Sequence, residues 1–214
     1  MYPVVEKFVS INGEGPFAGT LSAFIRMRGC NLSCSYCDTA WAMEQDAPCE
    51  FLSEQDLLSF LEEEGIRRVT LTGGEPLLVP GIMKLIQTLG SAGYLVEIET
   101  NGSVDIRPFS SICPRPFFTL DYKCPGSKMT DAMRTDHYEV LHLCDSVKFV
   151  VSDITDLTFA YTVCQKHNLE ERCQVFLSPV FGRINPVEIV EFMKQKKVER
   201  RTSCHAAAQD NLAI

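Results

Sequence analysis

Cys30, Cys34 and Cys37, in the run RGCNLSCSYCDT, are spaced so that three thiolates can reach one metal centre from a single loop. A structural zinc site closes with four ligands, and no fourth Cys or His lies close enough in the sequence to complete the set. Three cysteines around a four-iron, four-sulfur cluster leave one iron open to a further ligand. An open iron points to chemistry rather than scaffolding. In a second segment, RVTLTGGEP, Gly73 and Gly74 precede Glu75 and Pro76. Two glycines let backbone approach a ligand closely and leave amide N–H groups free to bind it.

Such segments need a scaffold that brings them together. Apolar runs alternate with helical patterns along the chain, the signature of βαβ units and a parallel sheet. Strands are predicted over 4–9, 23–28, 68–72, 95–100, 117–122, 147–151 and 174–178. Ser53 and Asp56 read as a capping box ahead of a helix with Leu57, Leu58 and Leu61 on its apolar face. Further helices are predicted over 81–91, 156–166 and 186–194. Parallel strands joined by right-handed crossovers place their carboxyl ends on one rim, where α/β enzymes carry their sites. The cysteine loop, the GGEP turn, Asp121-Tyr122-Lys123 and Ser178-Pro179-Val180 all fall at that rim. About six strands are too few for a closed eight-stranded barrel, so the expected fold is α/β, an open partial (β/α) barrel.

The bulk properties narrow the class. A chain of 214 residues, 45% hydrophobic and 22% charged, suits one soluble globular domain. Its net charge of −8 argues against a nucleic-acid or anionic-membrane surface. No apolar run approaches a membrane span and the N-terminus MYPVVEKFVS lacks a signal peptide's plan, so a cytoplasmic location is expected. Beyond the triplet, Cys49, Cys113, Cys124, Cys144, Cys164, Cys173 and Cys204 show no ligand-like spacing and read as free thiols in a reducing compartment. His137, His142, His167 and His205 form no ligand pattern and read as surface or core residues.

The pairing of CxxxCxxC with TGGEP resembles the radical S-adenosylmethionine (SAM) superfamily. More specifically, FVSINGEGPFAG, then AFIRMRGCNLSCSYCDT, then TGGEP, resembles the 7-carboxy-7-deazaguanine synthase family over most of the chain to about Val198. The resemblance implies a 4Fe-4S cluster on Cys30, Cys34 and Cys37, whose open iron is chelated by SAM, and Mg2+ on Thr39, with Asp38 beside it as an acceptor or a turn former. It implies substrate contacts at Ile11, Asn12, Gly13, Arg26 and Thr72, with Asn12 standing where the family usually has Gln. It places SAM contacts at Gly74, Asp121, Tyr122, Lys123, Ser178, Pro179, Val180 and Phe181. The implied reaction is radical ring contraction of 6-carboxy-5,6,7,8-tetrahydropterin to 7-carboxy-7-deazaguanine with loss of ammonia. A homodimer and an electron donor such as a flavodoxin or ferredoxin are implied as partners. Two rivals remain: a glycyl-radical-enzyme activase acting on a protein, and a non-catalytic zinc or redox module.

The chain divides into a partial-barrel domain over 1–198 and an atypical tail over 199–214. The family ends in a QLHK-type segment, whereas this chain reads RTSCHAAAQDNLAI. Codons permitted for His205 to Ile214, read one base later, spell MQLHKIIWP. The expectation is a frameshift before His205. Sequencing the DNA across codons 195–214 tests it, and codons that do not spell that peptide end the idea.

Overall fold

Alternation along the strands decides which side of the sheet carries chemistry. The computed structural model describes residues 1–44 and 46–197 and the backbone of 201–202. The tail over 203–214, with the segment the frameshift would replace, lies outside the described residues. The strands are β1 (Tyr2–Ile11), β2 (Leu21–Met27), β3 (Glu50–Leu52), β4 (Arg68–Gly73), β5 (Leu95–Thr100), β6 (Phe117–Lys123), β7 (Ser146–Val151), β8 (Gln174–Pro179) and β9 (Arg201–Thr202). They form one nine-stranded sheet in the order β3-β1-β2-β4-β5-β6-β7-β8-β9. Its ends do not meet, so the barrel is open.

Six of the predicted strands, β2 and β4 to β8, pair in parallel. The first runs antiparallel to β2, because the connection over 12–20 is too short for the crossover that parallel pairing requires. Two short edge strands escaped the sequence reading. β3 pairs antiparallel with β1, and β9 pairs in parallel with β8.

Helices α1 (Glu54–Glu64), α2 (Ile82–Ser91), α3 (Arg107–Ser110), α4 (Ile154–His167), α5 (Leu169–Arg172) and α6 (Pro186–Lys196) complete the chain. On the outer face of the sheet, Ile25, Leu71, Ile98, Phe118, Phe149 and Leu177 pack with Leu61, Leu85, Leu89, Leu157 and Ile189 from the helices in one apolar cluster. Each fully buried side chain of this size contributes about 1.5–3 kcal/mol. The inner face alternates with it and is polar: Ser22, Arg26, Thr70, Thr72, Glu97, Glu99, Thr119, Asp121, Ser146 and Lys148. Where a polar face is closed off from water, its groups need paired charges, hydrogen bonds or a ligand.

Local signals set the helix ends. Ser53 Oγ accepts from Asp56 N while Ser53 N donates to Asp56 Oδ2, so the predicted capping box is formed, and Gly65 ends α1 in a left-handed conformation. Asn185 and Glu188 make a second box around Pro186, and Asp153 caps α4. Among the described residues no helix is long and apolar enough to cross a membrane. Ser53→Ala is expected to cost about 1 kcal/mol, read as a lower urea midpoint with an unchanged slope.

Candidate functional site

The cysteine loop leaves β2 through Gly29, whose φ is +91°, and is tied down on three sides. Ser35 N donates to Ser127 O at 3.0 Å and Ser35 Oγ to Gly126 O at 2.7 Å. Tyr36 OH reaches Val150 O at 3.2 Å. Gly29 N donates to Ala42 O at 3.2 Å. Cys30, Cys34 and Cys37 are all free thiols, as are the other described cysteines. Leu32 N and Asn101 Nδ2 both donate to Cys30 Sγ, at 3.4 and 3.5 Å. Among the described residues no three His, Cys, Asp or Glu side chains are grouped to hold a single metal ion. A cluster asks for a different arrangement, since each cysteine binds its own iron corner. The three thiols on one loop supply three of the four corners such a cluster presents and fit that donor set.

The GGEP turn presses against this loop. A Cβ on Gly73 would lie 2.2 Å from Met27 O, and one on Gly74 only 1.9 Å from Gly29 O. Gly73 also holds a φ of +127°. These glycines are therefore required by backbone packing against the residues that lead into Cys30. Gly74 N donates to Met27 O at 3.2 Å and Glu75 N to Gly29 O at 2.9 Å. The Glu75 side chain turns inward, fully buried, and accepts from Thr100 Oγ1, Asn101 N and Leu77 N. Burial pushes its carboxyl up to about 7 against those bonds.

Below the loop, the inner face of the sheet forms a chamber of charges. Lys148 Nζ pairs with Glu14 and lies 3.4 Å from Asp121 Oδ1, and Lys123 Nζ pairs with Asp121 Oδ2 at 2.7 Å. Burial works against the Lys148 charge, but Asp121, Glu14 and Glu99 offset it and hold the ammonium above its ordinary range. Asp121 behaves conversely: burial opposes ionisation, and Lys123 and Lys148 pull its carboxyl below the usual value. Thr72 Oγ1 donates to Glu99 Oε2 at 2.7 Å. Burial, then the nearby Glu14 and Glu97, push Glu99 up to about 8. Glu97 accepts from Asn12 Nδ2 at 2.6 Å, Thr119 Oγ1 at 2.7 Å and Thr70 Oγ1 at 3.3 Å.

The expected site residues divide by direction. Arg26, Thr72, Asp121 and Lys123 point into the chamber. Arg26 Nε donates to Glu6 at 2.5 Å, and its two terminal nitrogens have no hydrogen bond to a described residue. Asn12 is buried, its Nδ2 held by Glu97 and its Oδ1 accepting from Glu14 N at 2.9 Å. Its amide thus serves the loop, while Ile11 and Gly13 beside it are exposed. Tyr122 faces the opposite side of the sheet, with its ring 5.2 Å from that of Phe149; only its backbone faces the rim. Ser178 and Val180 are buried at the end of β8, Pro179 is half-buried and Phe181 is exposed. Thr39 Oγ1 donates to Asp38 Oδ1 at 2.8 Å, which puts two hard oxygens side by side at the loop's end. Glu14, Glu97, Glu99 and Lys148 were not singled out from sequence. In LVEIET the signal was present, since two glutamates alternate with Val96 and Ile98 in a strand.

A family model for the Radical SAM superfamily matches residues 24–121. A 7-carboxy-7-deazaguanine synthase from Clostridium acetobutylicum is 50% identical over 198 residues, covering 92% of this chain and 90% of that one. The chain belongs to the 7-carboxy-7-deazaguanine synthase family. A second synthase, from Methanospirillum hungatei, is 38% identical over 84% of this chain and 73% of its own. Among solved structures, QueE from Escherichia coli matches with a TM-score of 0.74 at 24% identity, covering 94% of this chain and 92% of that one. SuiB from Streptococcus suis matches with a TM-score of 0.56 at 15% identity over 83% of this chain and 48% of its own. These two likenesses establish the open radical SAM fold. Membership of the radical SAM family implies a 4Fe-4S cluster and SAM as cofactors. In this family member, Gly74→Ala is expected to displace Gly29 and with it Cys30. Iron and sulfide per chain after anaerobic reconstitution should fall by more than half.

Proposed function

We propose that this chain is a radical SAM lyase converting 6-carboxy-5,6,7,8-tetrahydropterin to 7-carboxy-7-deazaguanine with loss of ammonia, in queuosine and related deazapurine biosynthesis. Its relatives' shared name supports the reaction. One geometric observation carries the substrate: Arg26 is paired in register with Thr72, which donates to Glu99, so a cation and a half-buried acid share one inner face. Arginine suits a carboxylate, to which it can present two parallel N–H bonds. A carboxylate on the far side suits the adjacent N–H donors of a pterin ring.

When bound, the cluster and SAM supply a hydrogen-abstracting radical. The protein's part is to hold, orient and exclude. Cys30, Cys34 and Cys37 hold the cluster, and Gly74, Asp121, Lys123 and the 178–181 segment hold SAM, with Tyr122 contributing backbone. Arg26 grips the substrate carboxylate, Thr72 and Glu99 the ring, and the backbone of Ile11 and Gly13 closes over it. Asn12 belongs to the same substrate-contacting loop and also fixes Glu14. Thr39, with Asp38, offers oxygen to Mg2+, which keeps its remaining positions for water and substrate. A homodimer, a flavodoxin or ferredoxin as electron donor, and a cytoplasmic location complete the proposal, as does a domain boundary near residue 198.

Anaerobic incubation with SAM, reductant, Mg2+ and the tetrahydropterin should yield the deazaguanine acid. A protein with an intact cluster that cleaves SAM but never forms this product overturns the substrate assignment. Arg26→Ala should raise KM for the pterin by at least about tenfold, the scale for a lost charged bond.

Glu99 generates a pH prediction. Burial and the nearby Glu14 and Glu97 push its carboxyl up to about 8, and the ring's donors need it ionised. Binding below that pH must expel a proton. KM should therefore rise by up to about tenfold per pH unit as pH falls from 8, and Glu99→Gln should raise KM and flatten the profile.

A further inference from the structure

The corner after β5 reaches the first cluster ligand. Asn101 is nearly fully buried there, and Glu75 Oε2 accepts its backbone N–H at 2.7 Å. Its side-chain amide has one possible orientation. Oδ1 accepts from Ser103 N at 3.0 Å and from Ser103 Oγ at 2.6 Å, so the amide nitrogen must face the other way. That nitrogen donates to Cys30 Sγ at 3.5 Å and to Asn31 Oδ1 at 3.0 Å. Asn31 Nδ2 returns to Ser103 Oγ at 2.9 Å and closes the ring of bonds. Gly102, at a φ of +75°, makes the turn that aims the amide back at the loop.

We propose that Asn101 is a positioning residue that sets the reduction potential of the cluster by donating an N–H bond to the Cys30 sulfur. The physical basis is charge. Reduction adds an electron that is shared with the ligating sulfurs, so a donor at sulfur stabilises the reduced form more than the oxidised one. The potential rises accordingly. Glu75 and Ser103 act one step further out, by fixing where the amide points. The GGEP turn thereby acts on the cluster through the 101–103 corner as well as through the backbone of Gly29. The inference rests on Cys30 ligating the cluster.

The test is an EPR-monitored potentiometric titration of anaerobically reconstituted protein without SAM, with iron and sulfide measured first. Wild-type protein that assembles no cluster refutes the cluster reading itself, a separate failure. In Asn101→Ala with a full cluster, the midpoint should shift negative, and the ratio of reduced to oxidised cluster at the wild-type midpoint should fall about fivefold, as for one lost hydrogen bond. A role confined to holding the loop would lower cluster content and leave the midpoint where it was. An unmoved or more positive midpoint overturns the proposal. Should the alanine variant assemble no cluster, Asn101→Asp replaces it, keeping the shape and both Ser103 bonds while offering the sulfur an acceptor. Its midpoint should shift further negative. An unmoved midpoint there, or failure of both variants to assemble a cluster, assigns Asn101 to loop support and overturns the proposal.

Discussion

One buried ammonium holds the inner face of this sheet together. Lys148 sits in β7 between Glu14, which arrives from the loop after β1, and Asp121 of the neighbouring strand β6. Glu97 and Glu99 crowd the same chamber, and burial pushes both carboxyls upward: Glu14 and Glu97 add to it at Glu99, while hydrogen bonds from Thr119, Asn12 and Thr70 oppose it at Glu97. Four acids with two lysines would repel if left bare, and losing one partner of such a buried set costs about 3–5 kcal/mol. The 12–17 segment is what makes the arrangement close. Gly15 packs so tightly that a Cβ there would lie 2.6 Å from Thr119 Oγ1 and 2.9 Å from Glu97 Oε1. A loop that looks like a ligand clamp in the sequence is therefore also the floor of the chamber.

A second constraint joins the floor to the rim. Gly73 and Gly74 let the β4 turn lie against Met27 and Gly29, and Glu75 then spans from that contact to Thr100 and Asn101 at the end of β5. Three strand ends are thus fixed to one another by backbone contact and a single buried carboxylate. The cysteine loop hangs from this junction on one side and from Gly126 and Ser127 on the other. Such a support is what a loop of thiolates needs if its geometry is to precede cofactor binding rather than follow it.

Much of this was legible in the sequence. Chemistry-bearing segments at strand ends, flanked by apolar runs, gave both the open parallel sheet and the rim that carries the motifs. The capping box at Ser53 was readable because its two partners lie three residues apart. What failed to show were features set by distant residues. β1 reads like any strand, and its antiparallel pairing follows only from the shortness of the connection to β2. Asn12 reads as a ligand-facing amide, and nothing in the sequence shows that Glu97, from a strand far along the chain, also takes its Nδ2. Tyr122 sits between two charged neighbours in sequence, yet the strand's two-residue period turns its ring into the apolar cluster beside Phe149 and Phe159. Lys148 gave no signal, since a lone lysine in VKFVV reads as an edge charge rather than a central one.

The chamber's polarity would select the proposed substrate by direction. Arg26 lies on β2 and Glu99 on β5, with β4 and its Thr72 between them. Strands stand about 4.8 Å apart, so two steps across the sheet separate the cation from the acid by roughly 10 Å. A bicyclic ring bearing a carboxylate at one end and paired N–H donors at the other spans such a gap in one orientation only. Reversed, it would set carboxylate against Glu99 and donors against guanidinium. Discrimination by like-charge contact is strong because neither end can be satisfied by water once the chamber is filled. At the acid end, burial and the nearby Glu14 and Glu97 push the Glu99 carboxyl up to about 8. A hydrogen-bond donor placed against such an acid favours its ionised form and offsets the repulsion from Glu14 and Glu97.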